Sequence, residues 1–348
     1  MDPVIRANTF ETSRGTFHYL ATGPTTGPLM VLIHGWPGLA LTWRPQLLYF
    51  GRFGFHVVAL DMLGYGQSPA PHGDASLYSC ESLVSDQFAL LKHLGRHKAI
   101  WLGHDWGCGP LWSLAAHYPE ACSAVISVCC PYRTLELGVQ HLISIANRDL
   151  YPKVEYPNAQ WDYMILYEKA GDEITRQFDA ASSRVAKQIY RRANPSRFMK
   201  PAITSTVSTR GSWFGPDVPD TPLADTTLDE PLYEAVTEAL GRNGWWGATA
   251  YYLNHERNAA YNKIDNVVNG GRLEMPVMHV DAKYDSVASA VQNPELMTEM
   301  RRLCVDMREA VLDTGHWAAL EKPDEFNGYL EDFLRDKGLL PTAVDGKL

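Results

Sequence analysis

The chain has 348 residues, 45% of them hydrophobic and 20% charged, and carries a formal net charge of −9 at pH 7. That length suits one large domain or two modest ones of ordinary globular composition. The acidic balance argues against partners that need a basic face, namely nucleic acid and anionic membrane surfaces.

Met1 to Gly15 holds no apolar stretch of signal-peptide length. No uninterrupted apolar run reaches the roughly 18 residues of a membrane span. The composition therefore leads us to expect a cytoplasmic protein, monomeric or homodimeric. The ending Gly346-Lys347-Leu348 is a distant relative of the Ser-Lys-Leu peroxisomal address and makes the peroxisome the weaker alternative. Six scattered cysteines, Cys80, Cys108, Cys122, Cys129, Cys130 and Cys304, read as small buried hydrophobes, not as a disulfide or metal framework.

In chain order, Thr16 to Thr22 alternates loosely and suits a strand antiparallel to the region 4–10. Leu29 to Ile33 is continuously apolar, as in a strand buried on both faces. It ends in His34-Gly35-Trp36-Pro37-Gly38, a turn too rich in Gly and Pro to extend a strand. A helical stretch from about Thr42 to Phe53 leads to a second apolar run, His56 to Leu60. Ser79 to Leu94 has apolar residues at helical spacing and Gly95 as a stop. The apolar run at Ala99 to Leu102, a helical pattern ending at Tyr118, and a run from Ala124 to Cys130 follow. This alternation predicts an α/β fold with a mostly parallel sheet flanked by helices.

The alternation stops at Pro131. From there to about Gly270 the chain is helical in tone and aromatic, with an irregular stretch from Asn194 to Glu230. The strand pattern returns with Pro276 to Val280, followed by a helix over 294–303, a strand over 308–312 and a last helix over 324–337. The expected organisation is a core of residues 1–130 and 271–348 with a helical cap, residues 131–270, inserted into it.

Chemistry concentrates at Gly103-His104-Asp105-Trp106-Gly107. A strand running into Gly-x-Asp-x-Gly and then a helix has the layout of a nucleophile elbow, usually occupied by serine. The glycines keep so sharp a turn free of side-chain collisions. An aspartate there attacks an sp³ carbon and forms an alkyl ester of the enzyme. The base is His316, in a loop just past the last strand, at the edge where ligands bind in open α/β sheets. Asp285 follows the preceding strand in the same edge position and orients the histidine; Asp281, at the strand end, is its rival. Nucleophile, acid and histidine stand in the α/β-hydrolase order. Backbone N–H groups of Trp36 and Trp106 fall where that architecture builds its oxyanion hole. His34 and His104 read as braces of the site.

With these residues assembled, the sequence resembles the α/β-hydrolase-fold epoxide hydrolases of the soluble type. Gly103-His104-Asp105-Trp106-Gly107, His34-Gly35-Trp36-Pro37, Asp285 and Gly315-His316-Trp317 carry the likeness, which runs from about Leu29 to the last helix. Cys108 and Leu253 depart from the family, which often has glycine and arginine there. The resemblance implies that two cap tyrosines hold the epoxide oxygen and supply the acid. Trp161-Asp162-Tyr163 points to Tyr163, and the spacing to Glu256-Arg257-Asn258 points to Tyr252, with Tyr251 as its neighbouring alternative. Trp36, Trp106, Trp161 and Tyr251 are expected in the pocket wall. The substrate implied is a hydrophobic small-molecule epoxide, with water as co-substrate and neither metal nor organic cofactor. A haloalkane dehalogenase using the same Asp-His-Asp set is the nearest alternative, and a non-catalytic ligand receptor on the same fold is the alternative of another class.

Overall fold

Arg6–Thr12 (β1) and Gly15–Thr22 (β2) pair antiparallel in the computed structural model, which describes residues 4–215 and 217–341. The peroxisomal-like ending at Gly346-Lys347-Leu348 lies outside the described residues. Leu29–Ile33 (β3), His56–Leu60 (β4) and Ala99–His104 (β5) are buried at every position, as their unbroken apolar runs require. Cys122–Val128 (β6), Leu273–Ala282 (β7) and Cys304–Leu312 (β8) complete a single sheet in the order β1-β2-β4-β3-β5-β6-β7-β8. From β4 to β8 every pairing is parallel.

Several strand ends differ from the sequence expectation; β7, for instance, runs beyond Pro276–Val280 at both ends. β6 stops at Val128, two residues early, because Cys129 takes φ +70° and leaves the ladder. β8 begins at Cys304, four residues before the apolar run. It is the sheet edge, so half of its side chains meet water and carry no apolar signal.

Helices Arg44–Arg52 (α1), Cys80–His93 (α2) and Cys108–His117 (α3) connect the first strands. The Ser79 hydroxyl accepts from the Ser82 N–H and caps α2, where the sequence places the helix start. Between β6 and β7 the described residues contain no strand, only an isolated bridge between Arg191 and Thr226. This insertion holds Val139–Ser144 (α4), Asp162–Ala180 (α5), Ser182–Ile189 (α6), Val207–Arg210 (α7), Glu230–Asn243 (α8), Trp246–Ala250 (α9) and His255–Tyr261 (α10). The expected irregular stretch is present: between Asn194 and Asp229 only short turns and the four-residue α7 form. Thr298–Leu303 (α11), Ala318–Glu321 (α12) and Pro323–Asp336 (α13) complete the core. Among the described residues no helix is long and apolar enough to cross a membrane.

The insertion is tied to loops at the carboxyl edge of the parallel strands. Tyr190 donates to the Pro37 carbonyl at 3.1 Å, Trp317 Nε1 to the Ile189 carbonyl at 2.9 Å, and Tyr251 to the Leu63 carbonyl at 2.9 Å. Tyr190 also stacks on Trp317, with ring centroids 3.8 Å apart. Trp36 packs among Tyr167, Trp213, Trp245 and Tyr252 of the insertion. Such aromatic pairs contribute about 0.5–1.5 kcal/mol each beyond their buried area, so core and insertion share one apolar seam.

Candidate active site

The elbow is a consequence of backbone geometry. β5 ends at His104, Asp105 takes φ +52°, and a single tight turn leads into α3. A positive φ on a residue with a Cβ costs on the order of 1 kcal/mol, and it lifts the carboxylate above the sheet edge. The glycines are sterically forced. A Cβ on Gly107 would lie 2.4 Å from the Ile33 carbonyl oxygen, and one on Gly35 would lie 2.5 Å from Cβ and Oδ1 of Asp105. Gly35, which the sequence shows only as part of a turn, thus lets the loop after β3 close over the carboxylate.

Strand register assembles the remaining groups. Ile33 pairs with Gly103, which brings Trp36 beside Asp105. Ala282 pairs with Leu312, which brings Asp285 beside His316. The Trp36 N–H donates to Asp105 Oδ1 at 2.7 Å, and the Trp106 N–H also donates to this carboxylate. His316 Nδ1 lies 2.8 Å from Asp285 Oδ2, and its Nε2 lies 3.6 Å from Asp105 Oδ2. Asp285 Oδ1 accepts from the N–H groups of Val287 and Ala288 at 2.9 and 3.2 Å. Asp281 instead accepts from Ala290, Val291 and the Ser289 hydroxyl, and so ties down the loop that carries Asp285. The geometry separates the two rivals: Asp285 faces the histidine and Asp281 does not.

Burial raises the Asp105 pKa, opposed by His316 and by the Trp106 and Trp36 N–H groups. Burial pulls His316 down, but the charge and hydrogen bond of Asp285 together with the charge of Asp105 outweigh it and lift the imidazole to about 9. Burial acts on Asp285 too, yet His316 and its two backbone donors hold its carboxyl below the ordinary value. His316 thus lies between two carboxyl groups whose charges favour its protonated form. His104 and His34 are braces, as expected: His104 Nε2 meets the His316 carbonyl at 2.9 Å, and His34 Nε2 accepts from the Met62 N–H at 3.1 Å.

Above Asp105 lies a cavity of ≈ 310 Å³, lined by Trp36, Tyr163, Trp213, Tyr252, Asp285 and His316, among others. A second, smaller pocket of ≈ 20 Å³ shares Asp105, Tyr163 and His316 with it and is also lined by Trp106, Trp161, Cys129 and Cys130. Burial, with the Asp105 charge adding, raises the Tyr163 hydroxyl well above the usual tyrosine value; Tyr252 is raised likewise, by burial and then by Tyr163 and Asp105. Both rings lie close, with centroids 5.6 Å apart. Tyr251 does not line the cavity, contrary to expectation. In the tight turn Tyr251–Leu253 successive side chains diverge by about a third of a turn, and Tyr251 points to the Leu63 carbonyl.

Several participants carry no signal in the sequence. Glu321 accepts from the N–H groups of Gly315 and Ala193, so one carboxylate fixes both the histidine loop and the insertion. Asp61 accepts from Ala40 and Gln67 and pairs with His18, bracing the loops after β3 and β4. The doublet Arg191-Arg192 and Arg197 border the cavity. One group among the described residues brings three metal-type ligand atoms within 4.8 Å: His104, Cys129 and His316. Its chemistry suits a metal poorly. The Cys129 thiol is kept protonated by burial and by nearby carboxylates, His316 Nδ1 is held by Asp285, and His104 Nε2 by the His316 carbonyl.

The family pattern of the alpha/beta hydrolase fold matches residues 28–323. The chain belongs to the alpha/beta hydrolase fold family. Among the relatives of this chain is the bifunctional epoxide hydrolase 2 of Sus scrofa, 28% identical over 335 residues. That match covers 95% of this chain and 55% of the pig protein, so the chain spans about half the length of that relative. The epoxide hydrolase srdG of Neurospora crassa is 26% identical over 336 residues, covering 92% of both chains. The crystal structure of epoxide hydrolase A from Mycobacterium thermoresistibile superposes with a TM-score of 0.76 at 24% identity, covering 95% of this chain and 98% of that one. A likeness at that identity supports the shared fold, including a helical cap over the hydrolase sheet.

Proposed function

We propose that this hydrolase opens an epoxide to a vicinal diol through a covalent ester on Asp105. The reading rests on one observation above the others: His316 lies between Asp285 and Asp105, with Tyr163 and Tyr252 lining the cavity above the nucleophile. The names of the relatives agree with it. In this reading residues 131–270 act as a cap that carries the acids, and residues 1–130 and 271–348 form the core that carries the nucleophile and base.

Asp105 Oδ2 attacks a ring carbon while Oδ1 keeps the Trp36 hydrogen bond and the Trp106 N–H stays on the same carboxyl group. The carbon–oxygen bond of the strained ring breaks, and Tyr163 or Tyr252 donates its proton to the departing alkoxide. Esterification removes the Asp105 charge, and with it one of the interactions that raise His316. The imidazolium then returns a proton to the tyrosinate and becomes a neutral base. It takes a proton from water as the water oxygen attacks the ester carbonyl. The tetrahedral oxyanion forms at Oδ1, where losing one such donor typically costs about 10²–10³ in rate. Collapse breaks the ester bond, His316 protonates the leaving diol oxygen, and Asp105 returns as a carboxylate bearing one oxygen from water.

A second reading, dehalogenation of an alkyl halide, draws on the indole N–H groups of Trp36 and Trp106, which are buried without a partner. Halide departure needs no acid, so that reading leaves Tyr163 and Tyr252 without a task. Single turnover in ¹⁸O-labelled water tests the proposal. Label found in the Asp105 peptide after one turnover supports the ester, and label found only in the diol overturns it. Released halide from a chloroalkane with no diol from any epoxide would favour the second reading. Tight binding without turnover of either substrate would leave a ligand receptor.

A further inference from the structure

Arg191, Arg192 and Arg197 border the outer part of the ≈ 310 Å³ cavity that reaches Asp105. All three are exposed, and their side-chain hydrogen bonds go to neutral acceptors: Arg191 to Gln188 Oε1 at 3.2 Å and Arg197 to the Pro201 carbonyl at 2.5 Å. Among the described residues none of the three pairs with a carboxylate, although Arg301, Arg302, Arg308 and Arg335 each do. Other arginines, among them Arg96, Arg148 and Arg184, also bond only to backbone carbonyls, but these three gather at one cavity mouth. Among the described residues the only carboxylates lining this cavity, Asp105 and Asp285, lie at its catalytic end. The cavity is thus polarised, negative at the floor and positive at the rim, with Ile189, Ile203, Trp213 and Phe214 among the apolar walls.

We propose that Arg191, Arg192 and Arg197 make this site selective for epoxides that carry an anionic group remote from the ring. The inference rests on the epoxide reading above and names the substrate class within it. An anion entering first would meet the Asp105 carboxylate in a buried site, where like charges repel strongly. An anion left at the rim meets three planar forks whose donors suit carboxylate, sulfate or phosphate oxygens. The same field therefore captures the substrate and orients it ring-first. Steering of this kind acts on encounter and weakens as salt screens it.

The test compares an aryl epoxide bearing a para-carboxylate with its methyl ester, and a sulfate with its neutral alcohol. For the wild-type protein the expected kcat/KM favours the anionic member of each pair by about tenfold at low salt, the lower end of what steering supplies. The preference resides mainly in KM and shrinks toward unity near 1 M salt, where the screening length is about 3 Å. The triple variant R191Q/R192Q/R197Q should bring the anionic-to-neutral ratio close to one. A preference for the carboxylate pair alone, or for the sulfate pair alone, identifies which anion the rim reads. Equal kcat/KM for anionic and neutral epoxides in the wild-type protein, or a preference that survives both salt and the triple variant, overturns the inference while leaving epoxide hydrolysis intact. Absence of diol from every member of both pairs overturns the epoxide reading itself.

Discussion

His316 Nε2 stands 3.6 Å from Asp105 Oδ2, outside direct hydrogen-bond range, while its Nδ1 is held by Asp285 at 2.8 Å. The histidine is anchored to the acid and only approaches the nucleophile. A gap of that size suits a base whose partner is a water molecule at the Asp105 ester, not the carboxylate itself. Replacing Asp105 with alanine should abolish diol formation, with a loss of at least about 10⁴-fold, in a protein that still folds by circular dichroism. Replacing His316 with glutamine should leave alkylation running and stop hydrolysis. Intact-protein mass spectrometry should then find the substrate mass added to the peptide containing Asp105.

The two cap tyrosines share one oxygen in the proposed mechanism, so their effects should be unequal to the sum of their parts. Tyr163→Phe and Tyr252→Phe should each lower the rate of ester formation by about 10²-fold, and the double variant should lose nearly all of it. Tyr251→Phe should change the rate little, because that hydroxyl is bonded to the Leu63 carbonyl. Rapid-quench measurement of the first turnover separates these effects from ester hydrolysis. A Tyr251→Phe variant as impaired as Tyr252→Phe would contradict the assignment.

The histidine also makes stability depend on pH. Its folded-state pKa of about 9 lies above the ordinary 6.5, so the folded protein holds this proton more tightly than the unfolded chain does. The resulting stabilisation is fully present below about pH 6.5 and is lost as pH rises through about 9, and amounts to on the order of 3 kcal/mol. Urea unfolding at pH 6.5 and pH 9.5 should show this fall, and His316→Gln should flatten it. For activity the acid side matters as well. Burial raises Asp105, so kcat/KM should begin to fall with acid at a pH above the usual carboxylate range.

Gly35 offers a test of the elbow that touches no reacting group. A methyl group there would sit 2.5 Å from both Cβ and Oδ1 of Asp105. Gly35→Ala should therefore displace the carboxylate or the loop that carries the Trp36 N–H, with a loss of about 1–3 kcal/mol in stability, as for other overpacked sites. Turnover should fall by about 10²-fold or more if the Trp36 donor is lost. Unchanged turnover in this variant would show that the close approach is dispensable.

Local sequence determined the strands that are buried on both faces, because a continuous apolar run has few other solutions: β3 and β4 begin and end where the sequence places them. It also marked Asp105 between its glycines, since a sharp turn restricts which residues fit, and it placed His316 and Asp285 in loops at the same sheet edge. Edge strand β8 was half-legible, because one face of it meets water and carries no pattern. The sequence favours Asp285 over Asp281 by its place further into the loop, and the register of β7 against β8 sets that residue beside His316. The spacing to Glu256-Arg257-Asn258 favours Tyr252, and the turn Tyr251–Leu253 adds that the Tyr251 hydroxyl faces the Leu63 carbonyl. Gly35 meets Asp105, Glu321 meets Ala193 as well as its neighbour Gly315, and the three rim arginines meet a cavity whose floor is far along the chain. Their roles are properties of contact, and contact is what the tertiary structure alone decides.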